Sequence, residues 1–123
     1  MADEFAEAVR VHVRYETRRA DGRTRREYNE QFGQPVPEVY YNNDFKYIWG
    51  WFWECSSGVN RDGDGHCRKI SWGDYAGWEQ QTGTIVREDE RAILRAMDEA
   101  FVREMNAEIK AQFEAAQMKA GNK

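Results

Sequence analysis

The chain has 123 residues, the size of one domain or of one domain with a tail. Hydrophobic residues make up 41% and charged residues 33%, with six Phe, six Tyr and five Trp, which excludes a disordered chain poor in aromatics. Its 18 basic and 22 acidic residues leave a formal charge of −4, which argues against a protein that coats nucleic acid or anionic lipid. The greasiest stretch, 45–53, carries Lys46 and falls far short of the ~20 apolar residues of a membrane span. Residues 1–10 hold Asp3, Glu4 and Glu7 and no apolar run, so the expectation is an intracellular chain with Cys55 and Cys67 reduced.

In chain order, residues 1–23 read as an Arg-rich N-terminal extension. Val9, Val11, Val13 and Tyr15 alternate with Arg10, His12, Arg14 and Glu16, as in a half-buried strand, while Phe5, Val9 and Val13 also fit an i, i+4 helical row. The alternation favours a short strand after a helical start. Seven arginines between positions 10 and 26 form a basic segment, either a solvated face or a docking surface for an acidic partner. A short helix is predicted over 24–32 and stopped by Gly33, after which Pro35 and Pro37 enforce an extended linker.

The segment 45–57 fits both periods, but its length, the Asn43-Asp44 cap candidates and Gly58 favour a helix, apolar most of the way round. Ser71 and Asp74 form a capping-box pair that opens a helix over 72–82, ended by Gly83. A long helix is predicted from Arg87 to about Lys119, with its apolar row running through Ile93, Leu94, Met97, Phe101, Met105, Ile109 and Phe113. Steps of four residues wind that row around the rod, so its last turns leave the core. The expected fold is thus mainly α: three to four helices, a long C-terminal helix and a possible short N-terminal strand or hairpin. Residues 24–105 form the body and 106–123 a helical tail. The expected core holds Phe45, Ile48, Trp49, Phe52, Trp72, Trp78, Ile93, Leu94, Met97 and Phe101.

Residues 60–65 place oxygen donors at loop positions 1, 3 and 5 and Gly at 6, as a calcium loop does, but Ser71 stands where a bidentate Glu is required. A metal-loop regulatory module is therefore a weaker reading than a plain Asp/Gly-rich loop. Cys55, His66 and Cys67 lack the paired spacing of a zinc site, and no phosphate loop or nucleophile elbow is present, so neither enzyme nor cofactor is expected. Arg87, Arg91 and Arg95 repeat one turn apart, a like-charged row that asks for acidic groups opposite, in this chain or in a partner. With the inner face of the 45–57 helix assigned to the core, Tyr47 and Trp51 are left toward its flank as partner-binding anchors, beside Arg87, Arg91 and Arg95.

From Thr24 to Met105 the order of motifs resembles small phage proteins from tail-gene clusters described as tail assembly chaperones. The motifs are Gly33-Gln34-Pro35-Val36-Pro37-Glu38, Tyr47-Ile48-Trp49-Gly50-Trp51-Phe52-Trp53-Glu54, Ile70-Ser71-Trp72-Gly73-Asp74-Tyr75, Thr82-Gly83-Thr84 and Leu94-Arg95-Ala96-Met97-Asp98-Glu99-Ala100-Phe101. The resemblance implies a non-enzymatic protein of the bacterial host cytoplasm that binds a tape-measure or other tail protein during assembly, with a homo-oligomer possible. The alternative is a small phage-encoded inhibitor or modulator of a host protein.

Overall fold

A computed structural model describes residues 1–121. Among them are five α-helices: α1 (Ala2–Glu16), α2 (Arg25–Gln31), α3 (Lys46–Ser57), α4 (Trp72–Thr82) and the 34-residue α5 (Glu88–Gly121). The mainly helical class and the long C-terminal helix are as the sequence predicts.

The N-terminal strand is not. Residues 2–16 are helical throughout, and Phe5, Val9 and Val13 form an inward row. The i, i+4 spacing wins because this helix lies along α5 in the most extensive packing between any two elements, whereas a lone strand would find no sheet to join. Far from being an appendage, α1 supplies part of the one core cluster. There Phe5, Val9 and Val13 join Ile48, Phe52 and Cys55 of α3, Tyr75 of α4, and Ile93, Leu94 and Met97 of α5. Each fully buried aliphatic or Phe side chain is worth about 1.5–3 kcal/mol.

The helix boundaries follow their caps. Thr24 Oγ1 accepts from the Glu27 amide to open α2. A short 3-10 turn, Asn43–Phe45, precedes α3 and is capped by Asn42, whose Oδ1 accepts from the Asp44 amide, one residue earlier than the predicted cap. In α4 the capping box is complete: the Ser71 amide donates to Asp74 at 2.9 Å and the Asp74 amide to Ser71 Oγ at 3.0 Å. Gly83 ends α4 at φ +67°, a conformation that side chains resist.

Of the expected core, Ile48, Phe52, Ile93, Leu94 and Met97 are buried, and Phe45, Trp49, Trp78 and Phe101 pack half-buried around them. Trp72 is the exception, 80% exposed. It occupies the first position of α4, and Tyr75, one turn on, takes the inward place.

Most arginines of the basic segment are paired with acids of the chain itself. Arg10 pairs with Glu7, Arg18 with Glu27, Arg26 with Glu16, and Arg25 with the buried Glu108 of α5. Arg19 and Arg23 each lie 5.8 Å from the centre of the Tyr28 ring.

Residues 61–68 fold back on themselves as a tight hairpin. The Gly63 amide donates to the His66 carbonyl at 2.9 Å and the Arg68 amide to the Arg61 carbonyl at 2.8 Å. Asp64 and Gly65 both adopt positive φ (55° and 88°), the arrangement of an Asp-Gly type I′ turn. Arg61 anchors this hairpin in the body. Its guanidinium contacts Asp98 Oδ1 at 2.6 Å, Ser56 Oγ at 2.7 Å and the Arg68 carbonyl at 3.1 Å, and lies 4.4 Å from the Phe101 ring centre. The second Asp98 oxygen accepts the Ile70 amide at 2.8 Å. One carboxylate thus fixes both ends of the segment joining α3 to α4.

Candidate protein-interaction face

The five side chains singled out as partner-binding come together on one side of the molecule, where the starts of α3 and α5 meet α4. Glu90, buried in the first turn of α5, is the hub. Its carboxylate accepts the Tyr47 hydroxyl at 2.6 Å and the Arg87 amide at 2.9 Å, while the Arg87 guanidinium stands 3.5 Å away. Burial pushes this carboxyl up, but the bonds from Tyr47 and the Arg87 amide, and the Arg87 charge, outweigh it and hold the group below its ordinary value. The bond to Glu90 in turn pushes the Tyr47 hydroxyl up.

From Tyr47 an aromatic ladder crosses to α4. Tyr47 and Trp51 meet edge to face at 4.9 Å, and Trp51 meets Trp78 in the same manner at 5.9 Å. Trp78 donates its indole N–H to Glu54 at 3.1 Å. Trp51 is therefore half-covered by its own neighbours, while Tyr47 keeps 40% of its surface exposed.

Beyond the ladder, Arg91 reaches across to Glu79 of α4 at 2.8 Å. Arg95, one turn further, is exposed and makes no ion pair among the described residues. A groove of about 450 Å³ opens here between α4 and α5, lined by Trp72, Tyr75, Ala76, Glu79, Arg91 and Arg95, with Glu88 at its edge. The acidic groups that the arginine row asks for are thus partly internal: Glu90 and Asp89 for Arg87, Glu79 for Arg91.

One residue that sequence reasoning did not assign to this face stands out. Trp72 leans over the groove and is 80% exposed. The position of Trp72 directly after the Ser71 cap was the available signal, since the first residue of a short helix has little of the body beside it.

Cys55 and Cys67 are unpaired and buried, and burial raises the Cys55 thiol to about 11 and lifts Cys67 as well, the opposite of an activated nucleophile. Among the described residues no three His, Cys, Asp or Glu side chains gather as a metal site. No helix among them is long and apolar enough to cross a membrane. No protein-family model matches the chain, and no curated protein or solved structure matches it significantly.

Proposed function

We propose that the chain is a non-enzymatic protein-binding module that takes a segment of a client protein into the groove between α4 and α5. The observation that carries this reading is Trp72, a large aromatic 80% exposed at the mouth of a groove lined by Arg91 and Arg95 together with Glu79 and Glu88. Such a side chain loses apolar contact with nothing in its own chain and gains it on binding. Trp and Arg are the residues that most often dominate interface energy, and Arg91 and Arg95 in the groove, with Arg87 one turn before them on α5, steer and orient a mixed-charge client. The proposed client is a phage tail protein, the tape-measure protein foremost, met in the host cytoplasm, in keeping with the motif order shared with tail assembly chaperones.

Co-expression of the full chain with the tail proteins of the same phage tests this. Wild type should retain one of them. Trp72→Ala should weaken retention by roughly 30-fold, the equivalent of a 2 kcal/mol anchor. An Arg87→Ala, Arg91→Ala, Arg95→Ala triple variant should slow association and blunt its salt dependence. Trp51→Ala separates the ladder from the groove, because its ring is already half-covered. Equal retention by all variants, each still folded, would move the interface elsewhere. Retention of a host protein in place of any tail protein would replace the chaperone by the host-protein modulator.

A further inference from the structure

The groove between α4 and α5 carries opposite charge at its two ends. α4 makes little direct contact with α5, so two helical faces stand across an open space. From α5 the groove takes Glu88, Arg91 and Arg95, at i, i+3 and i+7, and from α4 it takes Trp72, Tyr75 and Glu79 in the same spacing. The link between the helices, residues 83–87, is short, and Arg91 pairs with Glu79 at 2.8 Å. The charge of Arg95 acts at the Tyr75 hydroxyl, one turn nearer the start of α4. α4 therefore runs back along α5, with Trp72 at the Arg95 end of the groove and Glu88 at the other.

The middle of the groove is self-satisfied, since Arg91 and Glu79 neutralise each other. Its ends are not. Arg95 and Glu88 are exposed, and neither makes an ion pair among the described residues. Glu88, in the first turn, is favoured by the dipole of α5, but Arg95, two turns further in, has no such support. Seven residues separate the two, about 10.5 Å along the helix. The groove thus holds one unmatched charge of each sign at a fixed distance, with an 80% exposed indole at the positive end.

A helix laid along α5 has the same rise per residue, so two of its side chains seven positions apart meet both charges at once. We propose that the client segment is an amphipathic helix with a carboxylate beside Arg95 and a basic side chain, seven residues away, beside Glu88, its apolar face against Trp72 and Tyr75. The inference rests on the reading of this groove as the client site and adds what the site selects. A helix with acids at both positions brings one against Glu88, a helix with bases at both brings one against Arg95, and the like charge disfavours each.

The test uses three capped helical peptides of about 18 residues, long enough to form a helix. They are identical but for two positions, seven apart, that carry Lys and Glu, two Lys or two Glu, with Leu between them on the same face. Each is titrated to about 5 mM into the isotope-labelled full chain and followed by NMR on the Trp72 indole N–H, assigned by its loss in Trp72→Phe. The mixed peptide should bind about three- to tenfold more tightly than either like-charged one, the worth of one exposed attraction gained and one repulsion removed. Arg95→Glu should turn the preference to the two-Lys peptide and Glu88→Lys to the two-Glu peptide, and both variants should stay folded because both sites are exposed. Three peptides that move the Trp72 signal with equal affinity, or a mixed-peptide preference unchanged in Arg95→Glu, would overturn the inference and leave the client site standing. A Trp72 signal that no peptide moves would take down the client site and the inference with it.

Discussion

Two sets of arginines on the same molecule serve opposite ends. Arg61 is enclosed, its guanidinium bonded to Asp98, Ser56 and a main-chain carbonyl and lying against the ring of Phe101. Arg87, Arg91 and Arg95 stand on the surface, the first two loosely matched to acids of their own chain and the third, among the described residues, to none. The charge is the same, and burial decides the role. An enclosed guanidinium that loses its partner becomes an uncompensated interior charge, whereas an exposed one merely reverts to water. The clasp therefore holds the chain together, and the row remains available to another molecule.

The sharpest way to break this contrast is to remove Asp98. Asp98→Ala should cost about 3–5 kcal/mol in denaturant unfolding, because it strands Arg61 and the Ile70 amide together. An Arg61→Met, Asp98→Leu double variant should recover much of that loss. A single-variant loss under 1 kcal/mol would show that the clasp does not hold the hairpin. Tryptophans offer a second, smaller test on the same side of the molecule. Trp78→Ala removes an edge-to-face contact and the bond to Glu54 and should cost about 2 kcal/mol, while Trp72→Ala should stay within about 0.5 kcal/mol and act on client binding alone.

Next comes His12, half-buried against Trp49 and Trp53. Burial pushes its pKa down, with Glu16 opposing and Arg26 adding to the shift. The folded state thus prefers the neutral ring. Stability should be flat above the ordinary value of 6.5 and fall as pH drops below it, since the unfolded chain takes up the proton first. Thermal melts at pH 7.5 and 5.5 should show this slope in the wild type and lose it in His12→Gln. Smallest of all, Arg91→Ala should cost at most about 1 kcal/mol, and the loss should vanish in high salt.

Much of the fold was legible because local chemistry marks it. The Ser71–Asp74 box and Gly83 placed the ends of α4 correctly, and the apolar row of α5 located Ile93, Leu94 and Met97. The errors share a cause: the deciding partner was distant in sequence. Val9, Val11 and Val13 suit a strand or a helix equally well, and only the presence of α5 chooses. Residues 60–65 have the oxygen spacing of a calcium loop, yet Asp64-Gly65 is the informative pair, the turn of a hairpin whose Arg61 finds an acid 37 residues away. The interaction face was half visible. The arginine row and the flank of α3 were readable from periodicity, but the exposure of Trp72 depends on what packs beside it.

The pairing of α1 with α5 also sets the order in which the molecule can be made. A chain emerging from the ribosome at 5–20 residues per second completes the apolar face of α1 roughly 5–20 s before Met105 exists to cover it. For that interval Phe5, Val9 and Val13 have no native partner, and α1 alone is too short to be a firm helix. Folding is therefore a late event that joins the two ends of the sequence, giving a helical protein the slow, long-range closure more usual in sheets. Nascent chains caught before α5 is complete should be the form most exposed to proteases and to aggregation.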